Sequence, residues 1–135
     1  MTAILDHTIV PVSDRHRGAR FLAGLLDVQE APPAGHFVPV RINDELTFDF
    51  DDRFGAQPSH YAFRVDGALF DRAVAMATGS DLAWGSAPRQ VDRRVGEREG
   101  GRVVYIRDPD GVAYELITAS QPPAVPVSGR SAILG

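Results

Sequence analysis

The sequence repeats one pattern after about half its length, and both copies begin with a histidine. His7-Thr-Ile-Val-Pro-Val12 aligns with His60-Tyr-Ala-Phe-Arg-Val65. Each segment has the residues of a β-strand and is followed by helix-capping residues and an apolar pattern at helical spacing. A chain that repeats a strand and a helix in this way is expected to form two similar modules. The histidine that opens each copy predicts a metal site to which both modules contribute.

The composition indicates a single folded domain. The chain has 135 residues, of which 44% are hydrophobic and 24% charged, enough for one hydrophobic core. The formal net charge of -4 provides no basic field for nucleic acid or an anionic membrane surface. The absence of cysteine excludes disulfides, thiolate nucleophiles and cysteine-based zinc sites. No apolar run approaches the roughly 20 residues of a membrane span, and no charged leader precedes an apolar segment, so we expect a cytoplasmic protein.

The first half of the chain reads as strand, helix and hairpin. Residues 4–12 form a short segment rich in β-branched side chains, which predicts a strand. Ser13 and Asp14, which follow it, are candidate helix caps. Residues 37–42 and 45–51 flank Asn43-Asp44 and are predicted to form a hairpin. Residues 53–59 contain Gly and Pro and are predicted to link the halves.

The second half repeats this order. Residues 60–65 predict a strand, and the helix that follows is capped by Asp66 and ended by Gly79. Residues 87–101 are rich in Arg, Glu and Gly, and most of them are not expected to be regular. Two strands are then predicted on either side of a Pro-Asp-Gly turn, over residues 102–107 and 112–118.

The domain boundaries follow from these elements. One domain is predicted over residues 1–118, with module one over 1–53 and module two over 60–118. Residues 119–135 form a proline-rich tail without a core of its own.

Strand alternation predicts which side chains share the face opposite the helices. If Tyr61 and Phe63 pack on the helices, then His60 and Arg64 point the other way. The same argument places three polar side chains of the last two strands on that face, Tyr105, Arg107 and Glu115. We expect these residues to line a polar cleft.

Three motifs carry a resemblance to a known family. They are Leu5-Asp-His7-Thr, Ser59-His60-Tyr-Ala-Phe63, and Gly101-Arg-Val-Val-Tyr105-Ile-Arg-Asp-Pro-Asp-Gly111 running to Tyr114-Glu115-Leu116. Together they resemble the vicinal oxygen chelate superfamily over about residues 4–118. That superfamily includes glyoxalase I, bleomycin-resistance proteins, fosfomycin-resistance thiol transferases and extradiol ring-cleaving dioxygenases. The resemblance implies an α+β fold in which two βαβββ modules form a U-shaped half-barrel sheet with the helices on its outer face.

The resemblance also implies a metal site. The matching ligand positions are His7, His60 and Glu115, which would hold one divalent ion, Fe, Mn, Ni or Zn. Two imidazoles and one carboxylate leave coordination positions open, so a substrate can chelate through two neighbouring oxygens. Tyr105 is implied as a catalytic residue beside Glu115, through a hydrogen bond or proton transfer to the substrate. A fourth ligand is implied on the last strand of module one, and Glu45 and Asp49 are both candidates.

Further polar residues of the predicted face are candidates for substrate binding. They are Thr47, Asp49, Arg64 and Arg107. The two arginines either bind an anionic group of the substrate or form an interior salt-bridge network with Asp49 and Asp51.

Two classes of function remain open. The first is a metal-dependent enzyme that acts on a small oxygenated molecule by lyase, isomerase or thiol-addition chemistry, with dioxygen chemistry as a further alternative. The second is a metal-free binding protein of the bleomycin-resistance type, which sequesters its ligand. Fosfomycin is not expected as a substrate, because the anion-binding arginine of the fosfomycin enzymes has no counterpart in residues 119–124.

A homodimer is expected from the resemblance. Relatives of this length usually build the site from two chains, with His7 of one subunit joining His60 and Glu115 of its partner. The apolar residues 124–134 of the tail would then cover the two-fold interface.

Overall fold

The computed structural model describes residues 2–98 and 100–119. The element order is β1 (His7–Pro11), α1 (Arg15–Leu26), β2 (Val38–Arg41), β3 (Thr47–Asp51), β4 (His60–Arg64), α2 (Gly67–Thr78), β5 (Trp84–Gly85), β6 (Gly96–Arg98), β7 (Gly101–Arg107) and β8 (Ala113–Ile117). Two helices and two mixed sheets make this an α+β fold, as predicted.

Both helices begin at the capping aspartates expected from the sequence. Asp14 accepts hydrogen bonds from the backbone N–H groups of the first turn of α1 at 3.0 and 3.1 Å, and Asp66 accepts one from Leu69 at 2.8 Å. Ser13 is not the cap, because its hydroxyl donates to Asp110 at 2.7 Å. Gly79 ends α2, as predicted.

In each module the first strand lies parallel to the last. The smaller sheet has the order β1-β3-β2, and the larger has the order β4-β8-β7-β5 with β6 also paired to β7. Strand β1 runs parallel to β3, and β4 runs parallel to β8. The repeat detected in the sequence therefore corresponds to a repeated parallel pairing.

Both modules depart in detail from a regular βαβββ unit. In module one, the strand expected after the helix is reduced to an isolated bridge between Glu30 and Val40. In module two, β5 and β6 both pair antiparallel with β7 and act as one interrupted strand. Strand β6 lies in the segment predicted to be mostly irregular.

Aromatic rings join the two modules in one core. Phe48 of β3 contacts the rings of Tyr61 and Phe63 in β4, with centroids 4.8 and 5.5 Å apart. Phe21 of α1 stacks on Tyr114 of β8 at 6.0 Å. Burial of each large apolar side chain contributes roughly 1.5–3 kcal/mol, so this core fixes one face of each sheet against the other module.

The segment between β5 and β6, residues 86–95, is anchored by its own side chains; we call it the β5–β6 loop. Asp92 accepts hydrogen bonds from the backbone and hydroxyl of Ser86 at 2.9 and 2.6 Å. Arg93 donates to backbone carbonyls at the end of α2 and in the turn that follows it, and its guanidinium lies 5.4 Å from the Trp84 ring centre. Gly85 lies so close to the loop that a Cβ atom would be 2.1 Å from the Gln90 carbonyl oxygen. The loop therefore packs firmly over β5.

Two further predictions concern the C-terminal tail and membrane-spanning segments. The predicted tail, apart from residue 119, lies outside the described residues, and so does its expected contact with a dimer interface. Among the helices of the described part, none has the length and apolar character needed to cross a membrane.

Candidate functional site

The strand register of module two sorts the polar side chains into two rows. Paired residues on neighbouring strands project from the same face, and here that face is turned away from the core. The first row is His60, Ala113 and Arg107, and the second is Ala62, Glu115 and Tyr105. The predicted alternation is confirmed for these strands.

Glu115 is the buried centre of this face. Its side chain is 8% exposed, and its Oε1 atom lies 2.8 Å from Nε2 of His60. Its Oε2 atom accepts a hydrogen bond from Nη1 of Arg98 at 2.7 Å. A buried carboxylate requires such partners, and both of its oxygens are oriented by them. Arg98 was not among the residues predicted from the sequence.

Tyr105 completes the cluster. It is 8% exposed, and its ring meets that of His60 edge-on, with centroids 5.9 Å apart. Burial, followed by the negative charge of Glu115, raises the pKa of Tyr105. The phenol therefore remains protonated near neutral pH and is suited to donate a hydrogen bond or proton.

Module one presents an equivalent arrangement. His7 and Arg41 are both in register with Thr47, as His60 and Arg107 are with Ala113. Asp49 pairs with the second residue after His7, as Glu115 pairs with the second residue after His60. Asp49 therefore occupies the position in module one that matches Glu115. Glu45 lies before β3, so the internal symmetry favours Asp49 over Glu45 as the carboxylate of this half.

The imidazole of His7 is already oriented by its neighbour. Nδ1 of His7 and Oδ2 of Asp6 are 2.9 Å apart. This hydrogen bond, together with the charges of Asp6 and Asp49, raises the pKa of His7. Since Nδ1 is engaged, Nε2 is the nitrogen left available for another ligand, an arrangement common for metal-binding histidines. Asp6 was not predicted as a site residue, although its place directly before His7 was an available signal.

In the described part of one chain, His7 does not join His60 and Glu115 in a single cluster. Within residues 2–98 and 100–119, no three His, Asp or Glu side chains gather closely enough to hold a metal ion. Phe48, Tyr61 and Phe63 occupy the core faces of the two sheets, so the faces that carry His7 and His60 are turned away from that core. Both histidine side chains are accessible, at 59% and 46% exposure.

The remaining predicted residues lie apart from the cluster or have other partners. Asp51 pairs with Arg53 at 2.9 Å, and this ion pair lowers the pKa of Asp51. Arg107 donates to the carbonyl of Pro88. Arg64 follows His60 on the same face of β4 but lines a different groove of about 240 Å³. Neither the Asp51–Arg53 ion pair nor the hydrogen bond from Arg107 to Pro88 belongs to the salt-bridge network considered from the sequence.

The donor types suit a divalent transition metal. An imidazole nitrogen and a carboxylate oxygen 2.8 Å apart present two adjacent ligands of the kind found in iron, manganese, nickel and zinc sites. A catalytic site of this type uses three protein ligands and keeps a position open. Each half therefore fits part of a coordination sphere and needs a further ligand from elsewhere.

Comparisons with known proteins agree with this fold. No protein-family model matches the chain, and no curated protein sequence matches it significantly. Among solved structures, "Oxidase ChaP-H2" is 34% identical, with 93% of this chain and 100% of that chain covered and a TM-score of 0.84. "Oxidase ChaP-H1" is also 34% identical, with 90% and 100% covered and a TM-score of 0.83. The fosfomycin resistance protein FosX from Mesorhizobium loti is 26% identical, with 89% and 95% covered and a TM-score of 0.65. The protein thus belongs to the vicinal oxygen chelate superfamily.

Proposed function

We propose that the protein is a divalent-metal-dependent enzyme that oxidises a small substrate chelated through two neighbouring oxygens, with dioxygen as the oxidant. The observation that carries this proposal is the His60–Glu115 pair, at 2.8 Å, in a chain 34% identical to two structures named as oxidases. The names of these structures favour oxidation over the lyase, isomerase or thiol-addition chemistry that the sequence alone favoured.

The proposed ligands are His60 and Glu115 of one chain with His7 of a second copy. The two site faces turn away from the core of one chain, so a two-fold dimer supplies what each half lacks. Exposed Ile9, at 47%, lies on the same face as His7 and would be covered in such a dimer. Asp49 is the fourth candidate ligand or a substrate contact, and Thr47 beside it is held by Arg41 at 2.9 Å.

The residues of the site have separate roles in this proposal. When bound, the metal supplies Lewis acidity and, if it is iron, electrons for dioxygen. Arg98 holds one oxygen of Glu115, which leaves the other oriented toward His60. Tyr105 donates a hydrogen bond or proton to a substrate oxygen. Ala62 and Ala113 leave space beside these groups for the substrate.

A metal-free binding protein is the alternative. It would need the cleft but not a buried carboxylate paired with an imidazole, so the His60–Glu115 pair favours the enzyme. Elemental analysis of protein purified without chelator separates the two.

We expect about one divalent metal per chain in the wild type and loss of most of it in His60→Ala, because one imidazole is removed. His16→Ala, on the exposed side of α1, is the matched control. Undiminished metal in His60→Ala would refute the site. Oxygen uptake by the Fe(II)-loaded protein with a panel of catechols then tests the oxidation itself.

The shared site has its own test. Light scattering should give twice the chain mass of 14.6 kDa, and a monomer that retains metal would contradict the proposal. Mixing His7→Ala with His60→Ala chains should restore about a quarter of the sites, since half the dimers are mixed and each then has one intact site.

A further inference from the structure

A basic cleft adjoins His60 on the site face of module two. It has a volume of about 370 Å³, and its lining includes Ser59, His60, Arg89 and Arg107. Arg107 belongs to the same row as His60, with only the small side chain of Ala113 between them. The two outer residues of this row are two strand spacings apart, or about 10 Å.

The positive charge of this cleft has no acidic side chain beside it among the described lining residues, which include no Asp or Glu. In the part of the chain that the structure describes, neither Arg89 nor Arg107 lies within ion-pair distance of a carboxylate. Some other arginines do pair with carboxylates, for example Arg53 with Asp51, Arg98 with Glu115 and Arg102 with Asp71. Among the described residues, Arg89 and Arg107 therefore bring two guanidinium charges without a carboxylate partner to the same cleft.

The backbone positions this charge. Arg107 projects from the end of β7 and donates to the carbonyl of Pro88, which immediately precedes Arg89 in the β5–β6 loop. Because Asp92 and Arg93 anchor that loop, the backbone that carries Arg89 is held beside the guanidinium of Arg107. Guanidinium groups match the geometry of carboxylates and bind them through charge-assisted hydrogen bonds.

We infer that this cleft binds a carboxylate of the substrate while two vicinal oxygens of the same molecule chelate the metal at His60. The inference rests on the proposed function and narrows its substrate class. An aromatic ring with adjacent hydroxyls at one end and a carboxylate at the other spans the row from His60 to Arg107.

Two matched ligands test the inference. Protein loaded with Co(II), whose visible spectrum reports coordination, is titrated with 3,4-dihydroxybenzoate and with the neutral 3,4-dihydroxybenzamide. Both chelate through the same hydroxyls, so the difference measures the carboxylate contact. The acid should bind about tenfold more tightly at low ionic strength, and added salt should reduce this preference.

Variants assign the preference to the cleft. Arg107→Gln should abolish most of it, and Arg89→Gln should lower it at least about threefold, while the affinity for the amide stays within about twofold. Arg107→Lys keeps the charge and should keep part of the preference. Arg94→Gln, an exposed arginine of the same loop, is the control and should behave as the wild type.

The outcomes are distinct. Equal affinity of the wild type for acid and amide, or a preference that survives in both Arg107→Gln and Arg89→Gln, overturns the carboxylate site and leaves the metal enzyme intact. Failure of the wild type to bind Co(II), or of either catechol to change its spectrum, overturns the proposed function and this inference with it.

Discussion

The contact between Arg98 and Glu115 should contribute measurable stability before any metal binds. Glu115 is 8% exposed and Arg98 is 45% exposed, so the pair is intermediate between a surface and a buried ion pair. Exposed pairs contribute about 0–1 kcal/mol, and removal of one partner of a fully buried pair costs about 3–5 kcal/mol. Discounting for the solvent around Arg98, we expect a coupling free energy of about 1–2 kcal/mol.

A double-mutant cycle measures this quantity. The wild type, Arg98→Gln, Glu115→Gln and the double variant are unfolded in urea with chelator present, and the coupling is the difference between the double variant and the summed single variants. Arg94→Gln controls for the loss of a nearby positive charge and should change stability by less than about 0.5 kcal/mol. The coupling should persist at high salt, because partly buried pairs are screened less than exposed ones.

A coupling below about 0.5 kcal/mol would show that Arg98 does not hold Glu115 in the metal-free protein. The orientation of the two carboxylate oxygens would then be no basis for the proposed site. A value in the expected range means that Glu115 is positioned by the protein rather than by the metal.

Two further predictions concern Tyr105 and Asp108. Tyr105→Phe should leave metal affinity within about twofold, measured by titration, and lower turnover about 100-fold, because the phenol is the proposed proton or hydrogen-bond donor; unchanged turnover would exclude that role. Asp108 is 5% exposed, its Oδ1 accepts two backbone hydrogen bonds at 2.8 and 2.9 Å, and burial raises its pKa. Because the pKa of Asp108 is raised in the folded state, protonated Asp108 contributes its full stability at a pH below the unfolded-state pKa of about 3.9. This contribution is lost as the pH rises through the folded-state pKa. Asp108→Asn keeps the Oδ1 acceptor and should gain stability relative to the wild type as the pH rises from 3 to 6, whereas Asp108→Ala loses both bonds and should be less stable by about 1–2 kcal/mol. Urea unfolding across this pH range checks both variants, and an Asn variant that weakens with rising pH relative to the wild type would contradict the assignment.

The sequence predicted the parts of the fold that local pattern determines. The alternation of His60 to Arg64 fixed which side chains face the core, and the capping carboxylates of Asp14 and Asp66 marked the helix starts. The boundaries of the hairpin were less accurate, because Asn43 accepts hydrogen bonds from the backbone of Glu45 and Leu46. That turn widens the loop and leaves Glu45 outside β3.

The candidate site was only partly accessible to sequence reasoning. The repeat and the family motifs identified His7, His60 and Glu115 as candidate ligands, and they remain predictions. Arg98 was missed because its contact with Glu115 depends on the pairing of β6 with β7, in a segment without regular alternation. The separation of the two half-sites was expected only from the family resemblance, because strand alternation does not show which way each sheet faces. In the structure, the packing of Phe48 against β4 shows this orientation.

The self-contained anchoring of the β5–β6 loop has an evolutionary consequence. Asp92, Ser86 and Arg93 hold the loop from within and from the turn after α2, while Arg89 takes no part in these hydrogen bonds. Substitutions of Arg89 itself can therefore accumulate without disturbing Glu115 or His60 on the neighbouring strands. Duplicated descendants of this chain could diverge in the molecules they accept by changing this loop alone, while inheriting the same reaction centre.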